Sequence, residues 1–213
     1  MPRIVALFAS VALLAVATIM LAGCEGSIHT APLPSSTTKL TRNPPMIYVA
    51  PFNTKTGRWL TGRDGIDIVQ FKENFQTNFT VQLLNRLNKF APAQQRWVDD
   101  LPDEGWLVTG EFITVDQGSR ALRTAIGAGA GETTLQTNVY VYDLSISKTQ
   151  YVLAFRTGVA DANGDTGSGS GTAPAGLSAL AEPVSTGMGL GSGLKLDTTR
   201  TCREICARLQ PYY

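Results

Sequence analysis

The chain has 213 residues, of which 43% are hydrophobic, and it carries 18 basic and 17 acidic side chains. This length fits one domain of ordinary size with appendages, and the apolar share is normal for a packed globular core. The near-neutral charge excludes long-range electrostatic attraction of the whole molecule to nucleic acid, and the single histidine, His29, leaves little for histidine-dependent acid–base or metal chemistry.

The first 23 residues have the layout of a secretory signal peptide. Arg3 supplies a positive charge, an apolar run follows from residue 4 to residue 20, and the small residues Ala22 and Gly23 come next. A membrane-spanning helix that is retained fits less well, because a polar, proline-containing tract follows at once. Removal of residues 1–23 takes away Arg3 and leaves 17 basic against 17 acidic side chains, so the mature chain is predicted to be formally neutral.

The signal peptide ends at a motif that suits lipid attachment. Residues 21–24 read Leu-Ala-Gly-Cys and resemble the lipobox of bacterial lipoproteins. The resemblance implies that Cys24 becomes the first residue of the mature chain and carries fatty acyl groups such as palmitate, which hold a domain at a membrane. It also implies the outer membrane, facing the periplasm, because an aspartate after the cysteine favours inner-membrane retention and this chain has Glu25.

Residues 24–45 are predicted to form the lipidated amino terminus and a flexible tether. The tract is poor in large apolar side chains and rich in Ser, Thr and Pro, a composition that favours an extended, unpacked chain. From Glu25 to Pro45 it has 21 residues, which span about 65 Å in a polyproline-like form at about 3.1 Å each. His29 falls inside this tether and is interpreted as a solvated linker residue.

Residues 46–160 are predicted to form the α/β core domain. A β-prone run at Met46–Ala50 is expected to be its first strand, and a loop follows in which Trp59 is either a lid on the core, the interpretation favoured here, or an exposed contact. Apolar side chains then recur at spacings of three and four, which predicts a long amphipathic helix from Asp67 to Lys89. The residues of this stripe are Ile68, Phe71, Phe75, Phe79, Leu83, Leu87 and Phe90.

Three β-prone runs follow the long helix. Residues 106–115 are apolar on both faces and predict an inner strand, whereas residues 135–142 alternate, with Tyr, Asn and Gln on the wetter face. A turn near 145–148 and a run at 151–159 predict an antiparallel hairpin. With a closing helix at 197–213, these elements predict an α/β fold of the α+β kind, in which a single mixed or mostly antiparallel sheet is covered by the long helix and the carboxy-terminal helix.

A glycine-rich insert lies between the first two of these strands. Gly127, Gly129 and Gly131 invite a phosphate-loop interpretation, but a Walker loop needs Lys and then Ser or Thr after its last glycine, and Glu132 follows here. The dinucleotide-binding pattern needs a different spacing and a helix behind it, whereas this insert leads into a strand. We therefore expect no bound nucleotide and no cofactor.

Two interpretations of the insert remain open. Its glycines fit positive φ values or a close backbone approach at a long hairpin tip or bulge. Alternatively, the insert forms a protruding basic and apolar surface that contacts an envelope protein or a glycan. The candidate contact residues for this second interpretation are Arg120, Arg123, Gly127, Gly129 and Gly131.

The block from Gly110 to Leu144 resembles the signature of a family of bacterial lipoproteins that carry a domain of unknown function. In that signature a G-x-F-x-x-V-x-x-G-S-R-x-x-R run precedes I-G-x-G-x-G and an x-V-x-V-x-D strand, and the resemblance spans residues 47–159. It implies no particular activity. More distantly, the order of strand, long helix and strand hairpin is similar to TolB amino-terminal, curli-secretion and penicillin-binding-protein-activator lipoproteins, which are interaction modules.

The last third of the chain contains a glycine-rich tract before the closing helix. Residues 161–196 are rich in Gly, Ser and Ala and are expected to be loop or partly disordered. Asp161, Asn163 and Asp165 have the spacing of a calcium loop, but threonines stand where that loop requires glycine and glutamate. We therefore expect an Asn-Gly turn and no metal site in this tract.

The carboxy-terminal helix carries two cysteines on one face. Cys202 and Cys206 lie four residues apart, and a metal site there would need two further ligands that the sequence does not supply. A disulfide across one helical turn has poor geometry, although the export compartment is oxidising. Buried free thiols are therefore expected, and a strained bridge is the alternative.

No acid–base or nucleophilic constellation stands out in the sequence. We therefore predict a non-enzymatic accessory or scaffold lipoprotein that is attached to the membrane through Cys24 and binds another envelope component, either a protein or a glycan. One alternative is a hydrolase of cell-wall glycan or peptide that uses Glu111 and Asp116, although their spacing in a strand is expected to place them on opposite faces. The other is a periplasmic small-ligand binder that uses the face of Tyr140 and Tyr142.

Overall fold

A mixed seven-stranded sheet with two helices on one of its faces forms the folded part of the protein. The structure, a computed structural model, describes residues 29–33, 39–118, 133–159 and 192–213. The strands are β1 (His29–Pro32), β2 (Ile47–Val49), β3 (Arg58–Leu60), β4 (Ala93–Gln95), β5 (Trp106–Asp116), β6 (Thr134–Asp143) and β7 (Leu153–Val159). The helices are α1 (Gly65–Leu87) and α2 (Ser192–Leu209), and a 3-10 turn, Gln210–Tyr212, follows α2.

The sheet combines antiparallel and parallel pairing. Its strand order is β1-β7-β6-β5-β2-β4. β2 and β3 share one edge of β5, where β2 pairs with the start of β5 and β3 pairs with its end. Neighbours among β1, β7, β6 and β5 are antiparallel, whereas β2 and β3 are parallel to β5, and β4 is parallel to β2. The prediction of a single mixed sheet covered by a long helix and a carboxy-terminal helix is therefore confirmed.

β5 is the inner strand on which the rest of the sheet is built, as its apolar character on both faces predicts. It pairs along its whole length with β6, and its other edge is taken by β2 and β3. The register with β6 shifts between Phe112 and Thr114, which marks a β-bulge. A bulge of this kind changes which side chains of the strand share a face.

α1 covers the sheet through an aromatic stripe. Phe71, Phe75 and Phe79 are buried, and the ring centroid of Phe112 on β5 lies 5.1 Å from that of Phe75 and 5.2 Å from that of Phe79. Each fully buried phenylalanine contributes about 1.5–3 kcal/mol, because its apolar surface leaves water. The helix begins and ends two residues before the predicted range of 67–89.

Trp59 on β3 closes the core beside α1, as predicted for a lid. Its indole ring meets Phe71, Phe75 and Phe112 edge to face, at centroid distances of 6.2, 5.7 and 5.7 Å. Its Nε1 donates a 3.1 Å hydrogen bond to the carbonyl of Thr54. The polar atom of the indole is thus satisfied while the ring packs on the core.

α2 starts earlier than the sequence predicts. It begins five residues before Asp197, and Leu194, Ile205 and Leu209 are buried against the sheet. Asp197, the predicted N-cap, instead lies in the second turn, where its Oδ2 accepts a 2.6 Å hydrogen bond from the Thr133 hydroxyl. This contact ties the first half of α2 to the start of β6.

Cys202 and Cys206 of α2 are free thiols that face the core, which confirms the first expectation for them and contradicts a bridge. Burial raises the pKa of Cys206 to about 12 and also raises the pKa of Cys202. Both thiols are therefore protonated at neutral pH, and protonated thiols are poor nucleophiles.

The predicted tether is wrong in part, because much of it belongs to the folded domain. β1 pairs antiparallel with β7 and covers what would otherwise be an open sheet edge. Leu40 is buried in the core, and the Thr41 N–H donates a 2.7 Å hydrogen bond to Oδ2 of Asp143. The Trp106 indole donates a 3.1 Å hydrogen bond to the carbonyl of Thr41. The domain therefore starts before residue 46, and the backbone of His29 belongs to a strand.

The predicted signal peptide, residues 1–23, lies outside the described residues, as do residues 161–191 of the predicted glycine-rich loop. Among the described helices, neither is long and apolar enough to cross a bilayer.

Candidate binding surface on the outer face of the sheet

We call the face of the sheet opposite α1 and α2 the outer face. Along β6, Leu135, Val139 and Val141 point into the core that the helices cover, and the residues between them point the other way. The residues of β6 on the outer face are Thr134, Gln136, Asn138, Tyr140 and Tyr142. The predicted division of β6 into an apolar face and a wetter face is therefore confirmed.

A hydrogen-bond network centred on Glu111 occupies the middle of the outer face. Glu111 lies directly opposite Asn138, and its Oε1 accepts bonds of 2.9 Å from Asn138 Nδ2 and 2.9 Å from the Tyr140 hydroxyl. Its Oε2 accepts a 3.2 Å bond from the hydroxyl of Thr56, in the loop between β2 and β3. Arg156 on β7 donates from Nε to Oδ1 of Asn138 at 2.8 Å. We call these residues the Glu111 network.

Backbone pairing brings the network together. Asn138 is the cross-strand neighbour of Glu111 on one side and of Arg156 on the other, and such neighbours have Cβ atoms about 4.5–5.5 Å apart. The Asn138 amide therefore uses its nitrogen towards β5 and its oxygen towards β7. The Asn138 side chain is also buried. Its own strand and its hydrogen bonds to the two neighbouring strands together fix its position.

The network sets the ionisation of its carboxylate and its phenol. The hydrogen bond from Asn138 lowers the pKa of Glu111; burial opposes this, and the bonds from Tyr140 and Thr56 and the charge of Arg156 lower it further. Burial, followed by the neighbouring carboxylate, raises the pKa of Tyr140. At neutral pH Glu111 is thus an ionised acceptor and Tyr140 a protonated donor. Neither pKa is shifted towards neutrality, where a general acid or base works best.

Three tyrosines extend the surface beside the network. The ring centroid of Tyr151 lies 5.2 Å from that of Tyr140 and 6.1 Å from that of Tyr142, in tilted and edge-to-face contacts. Within the described residues, Arg156 donates its hydrogen bond from Nε, to Asn138. Its two Nη groups are therefore available to a partner. Half-buried tyrosines and an oriented arginine are the side chains most enriched where proteins bind partners.

The expectation that Glu111 and Asp116 point to opposite faces is wrong. Asp116 lies opposite Thr134 and Glu111 opposite Asn138, and these two β6 residues share the outer face. The bulge in β5 adds one residue and so reverses the parity of a regular strand. Four residue steps along β6 nevertheless separate the two backbone positions by about 14 Å, whereas the carboxyl groups of an inverting glycosidase lie about 6.5–9.5 Å apart.

The residues predicted for lipid attachment and partner contact lie outside the described residues. They are Cys24, Arg120, Arg123, Gly127, Gly129 and Gly131. The structure describes both ends of the insert, at Gly118 after β5 and at Thr133 before β6. The roles of these six residues stay predictions.

Sequence reasoning missed Arg156 and Tyr151, and it named Glu111 without its partners. The alternation along β6 does indicate that Asn138 and Tyr140 share a face. Which residues of β5 and β7 lie opposite them depends on strand register, and in β5 a bulge shifts this register. The network is therefore visible only once the strands are paired.

Other buried carboxylates hold the chain together. Burial opposes ionisation of Asp143, but hydrogen bonds from Ser145 and Thr41 outweigh it and hold the pKa of this carboxyl below its ordinary value. Asp197 lies 3.7 Å from the Arg200 guanidinium in an ion pair within α2. Within the four described ranges, no group of three or more His, Cys, Asp and Glu side chains is arranged to hold a metal ion.

Comparison with known proteins adds a sequence family and a distant structural likeness. A family model described as "Domain of unknown function (DUF4410)" matches residues 70–187. Two crystal forms of the PelC dodecamer from Paraburkholderia phytofirmans are similar at 10% identity. One has a TM-score of 0.35 and covers 62% of this chain and 76% of PelC; the other has a TM-score of 0.36 and covers 61% and 79%. At these TM-scores the likeness carries no argument about assembly or function. No curated protein matches the chain.

Proposed function

This chain belongs to the family of the domain of unknown function DUF4410, and we propose that it is a lipid-anchored, non-enzymatic accessory or scaffold protein of the bacterial cell envelope. In this proposal the outer face of the sheet binds another envelope component. The observation that carries it is the Glu111 network with its adjoining tyrosines, a polar and aromatic surface on the face opposite both helices.

The state of the network favours binding over catalysis. Both carboxylate oxygens of Glu111 accept hydrogen bonds from the protein, and its lowered pKa keeps it from serving as an acid at neutral pH. A surface whose side chains are already ordered loses little conformational entropy when a partner arrives. Tyr140 and Tyr151 add rigid contact area at a low conformational cost.

The envelope location is supported by the sequence before the domain. The apolar run and the Leu-Ala-Gly-Cys motif that ends at Cys24 support lipid attachment, and Glu25 supports the outer membrane facing the periplasm. Arg120 and Arg123 in the insert remain additional candidates for contact with the same partner. An envelope phenotype identical to wild type in a Cys24→Ala strain with stable protein would contradict the anchored role.

Site-specific photo-crosslinking in intact cells tests the binding surface. We expect a crosslinking phenylalanine analogue at Tyr142 or Tyr151 to capture the same discrete species, and the analogue at Val81, exposed on α1, to capture none. Arg156→Ala should lower the yield from Tyr151 several-fold at an unchanged level of the protein. Equal capture from Val81, or a yield indifferent to Arg156, would count against the outer face as the contact surface.

A small-ligand binder is the second candidate function, and the contacts among Tyr140, Tyr142 and Tyr151 favour it over the hydrolase. It predicts that a soluble periplasmic compound raises the melting temperature of the purified domain, and that Tyr151→Ala abolishes the shift. Turnover of cell-wall fragments by the purified domain, lost in Glu111→Gln, would instead support the hydrolase.

A further inference from the structure

β1 brings the folded domain much closer to Cys24 than a free tether would. The strand begins at His29, so the chain between the two Cα atoms spans five residue steps. Fully extended, five steps cover about 17 Å, compared with about 65 Å for a tether that reaches Pro45. An acyl chain on Cys24 therefore holds the start of β1 near the bilayer surface.

Strand directions define which part of the domain lies at this short link. His29 pairs with Val159, the last residue of β7, so β1 begins at the end of the sheet where β7 finishes. β3 and β5 finish at the same end, because Leu60 pairs with Asp116 and Asp116 pairs with Thr134 at the start of β6. We call this the anchor end of the sheet. α1 and α2 also begin there, after β3 and beside Thr133 respectively.

The anchor end exposes aliphatic side chains from three elements. Leu60 at the end of β3 is 44% exposed, and Ile66 and Val69 in the first turns of α1 are 71% and 51% exposed. Ile66 and Val69 are three residues apart and so are neighbours on the helix surface. Leu196, near the start of α2, is 39% exposed. Amphipathic helices bound at membrane interfaces use side chains of this kind at the boundary between headgroups and acyl chains.

The link from Cys24 is too short to bring the exposed apolar residues at the other end of the sheet to the bilayer. Ile146, 48% exposed, lies in the turn between β6 and β7. The ten residues of β6 separate this turn from the anchor end by about 34 Å, twice the reach of the link from Cys24. The short link therefore determines which end of the sheet lies at the bilayer. Exposed apolar side chains alone do not determine this, because both ends have them.

We propose that the anchor end rests on the lipid surface that holds Cys24, with Leu60, Ile66, Val69 and Leu196 at the headgroup and acyl boundary. This orientation rests on the lipid anchor of the proposed function and adds the surface that faces the bilayer. The strands then run away from the membrane, and the outer face with its Glu111 network stands beside it, open to a partner in the periplasm.

Fluorescence quenching on the full-length acylated protein tests the orientation. The protein is reconstituted into vesicles of phosphatidylethanolamine and phosphatidylglycerol that carry a headgroup-attached quencher. A probe is placed at Ile66→Cys or, as the matched control, at Ile146→Cys, both in a Cys206→Ser background because Cys202 is buried. We expect several-fold stronger quenching at position 66 than at position 146.

A spacer variant shows whether the short link causes the stronger quenching at position 66. Insertion of about 20 Gly and Ser residues between Gly26 and Ser27 adds a flexible chain with a root-mean-square length of about 25 Å, and should bring quenching at the two positions close together. Equal quenching without the spacer, in protein whose acyl groups are seen by mass spectrometry, overturns the orientation alone. A Cys24 that carries no acyl group overturns the anchor and the orientation together.

Discussion

Glu111 and Asn138 lie directly opposite each other on β5 and β6, and the Asn138 amide donates a 2.9 Å hydrogen bond to the Glu111 carboxylate. This bond is the largest cause of the lowered pKa of Glu111. The same amide accepts the hydrogen bond of Arg156 on β7. Asn138 is therefore the link through which three strands share one polar surface, and its removal tests the whole network.

Asn138→Ala should raise the pKa of Glu111 towards its ordinary value, because the carboxylate loses its strongest donor. It should also lower the free energy of unfolding by about 1–3 kcal/mol, since the half-buried Glu111 and Arg156 each lose a hydrogen-bond partner. Carbon-13 titration of the Glu111 carboxyl and urea unfolding measure the two effects. Asn74→Ala, at an exposed position on α1, is the control: it should leave the Glu111 pKa unchanged and should not lower the stability, because alanine favours the helix. A Glu111 titration unchanged in Asn138→Ala would contradict the network.

Glu111 also makes stability depend on pH, in a direction set by its lowered pKa. Such a carboxyl stabilises the fold above its unfolded-state pKa, and the contribution is lost as the pH falls through the folded-state pKa. The loss therefore occurs from the ordinary value of 4.5 downwards. Glu111→Gln should lower the free energy of unfolding at neutral pH by about 0.5–1 kcal/mol, because solvent screens this partly exposed group.

Urea unfolding across a pH series checks this expectation. Below the ordinary pKa of glutamate, the stability of Glu111→Gln should decline less steeply than that of the wild type, since one titrating group is gone. Asp143 and Asp103 also have lowered pKa values in both proteins and contribute to the remaining acid sensitivity. Parallel curves for the two proteins would show that Glu111 titrates alike in the folded and unfolded chains.

Periodicity was enough to predict the main elements of the fold. The aromatic stripe predicts α1 to within two residues at each end, and alternation predicts the inner and outer faces of β6. These signals survive because each element buries a continuous apolar face against the same core. The residues also predict a domain of unknown function, and the match at 70–187 confirms this, whereas the lipoprotein signature and the more distant lipoprotein likeness stay predictions.

The missed features depend on partners that lie far away in the sequence. β1 is a short run of His, Thr, Ala and Pro with no apolar alternation, and its pairing with the β7 edge is what makes it a strand. The β5 bulge falls between Phe112 and Thr114, and Gly110 earlier in the strand does not reveal its position, so a parity argument places Glu111 and Asp116 on opposite faces. Arg156 lies in the site only because the register of β6 and β7 places it opposite Asn138.

Gly110 shows how closely the backbone and the core approach each other beneath the network. A Cβ at this position would lie 2.1 Å from the carbonyl oxygen of Asn138 and 2.6 Å from the Phe52 ring. Gly110→Ala should therefore lower the free energy of unfolding by about 3 kcal/mol, because the strands must separate. Gly62→Ala is the control: its φ of 65° strains alanine by about 1–2 kcal/mol, but a Cβ there would have no atom within 4 Å beyond its own chain neighbours. Similar losses in both variants would contradict the close approach.

Truncation from the amino end separates the two ways in which the segment before β2 supports the domain. A soluble chain that begins at residue 46 lacks Thr41, so the buried Asp143 loses a donor and the Trp106 indole loses its acceptor. Each buried polar group left unsatisfied costs about 1–3 kcal/mol. A chain that begins at residue 39 keeps both hydrogen bonds but lacks β1, which leaves the β7 edge open.

The free energy of unfolding should therefore fall by about 2–6 kcal/mol between the chain that starts at residue 39 and the chain that starts at residue 46. Urea unfolding measures this difference. Sedimentation of the chain that starts at residue 39 should show concentration-dependent association through β7, whereas a chain that starts at residue 27 should stay monomeric, because β1 occupies that edge. Equal stability of the two shorter chains would contradict the Thr41 contacts. If the chain that starts at residue 39 remains monomeric, the open β7 edge does not drive association, and the proposed protection of this edge by β1 is contradicted.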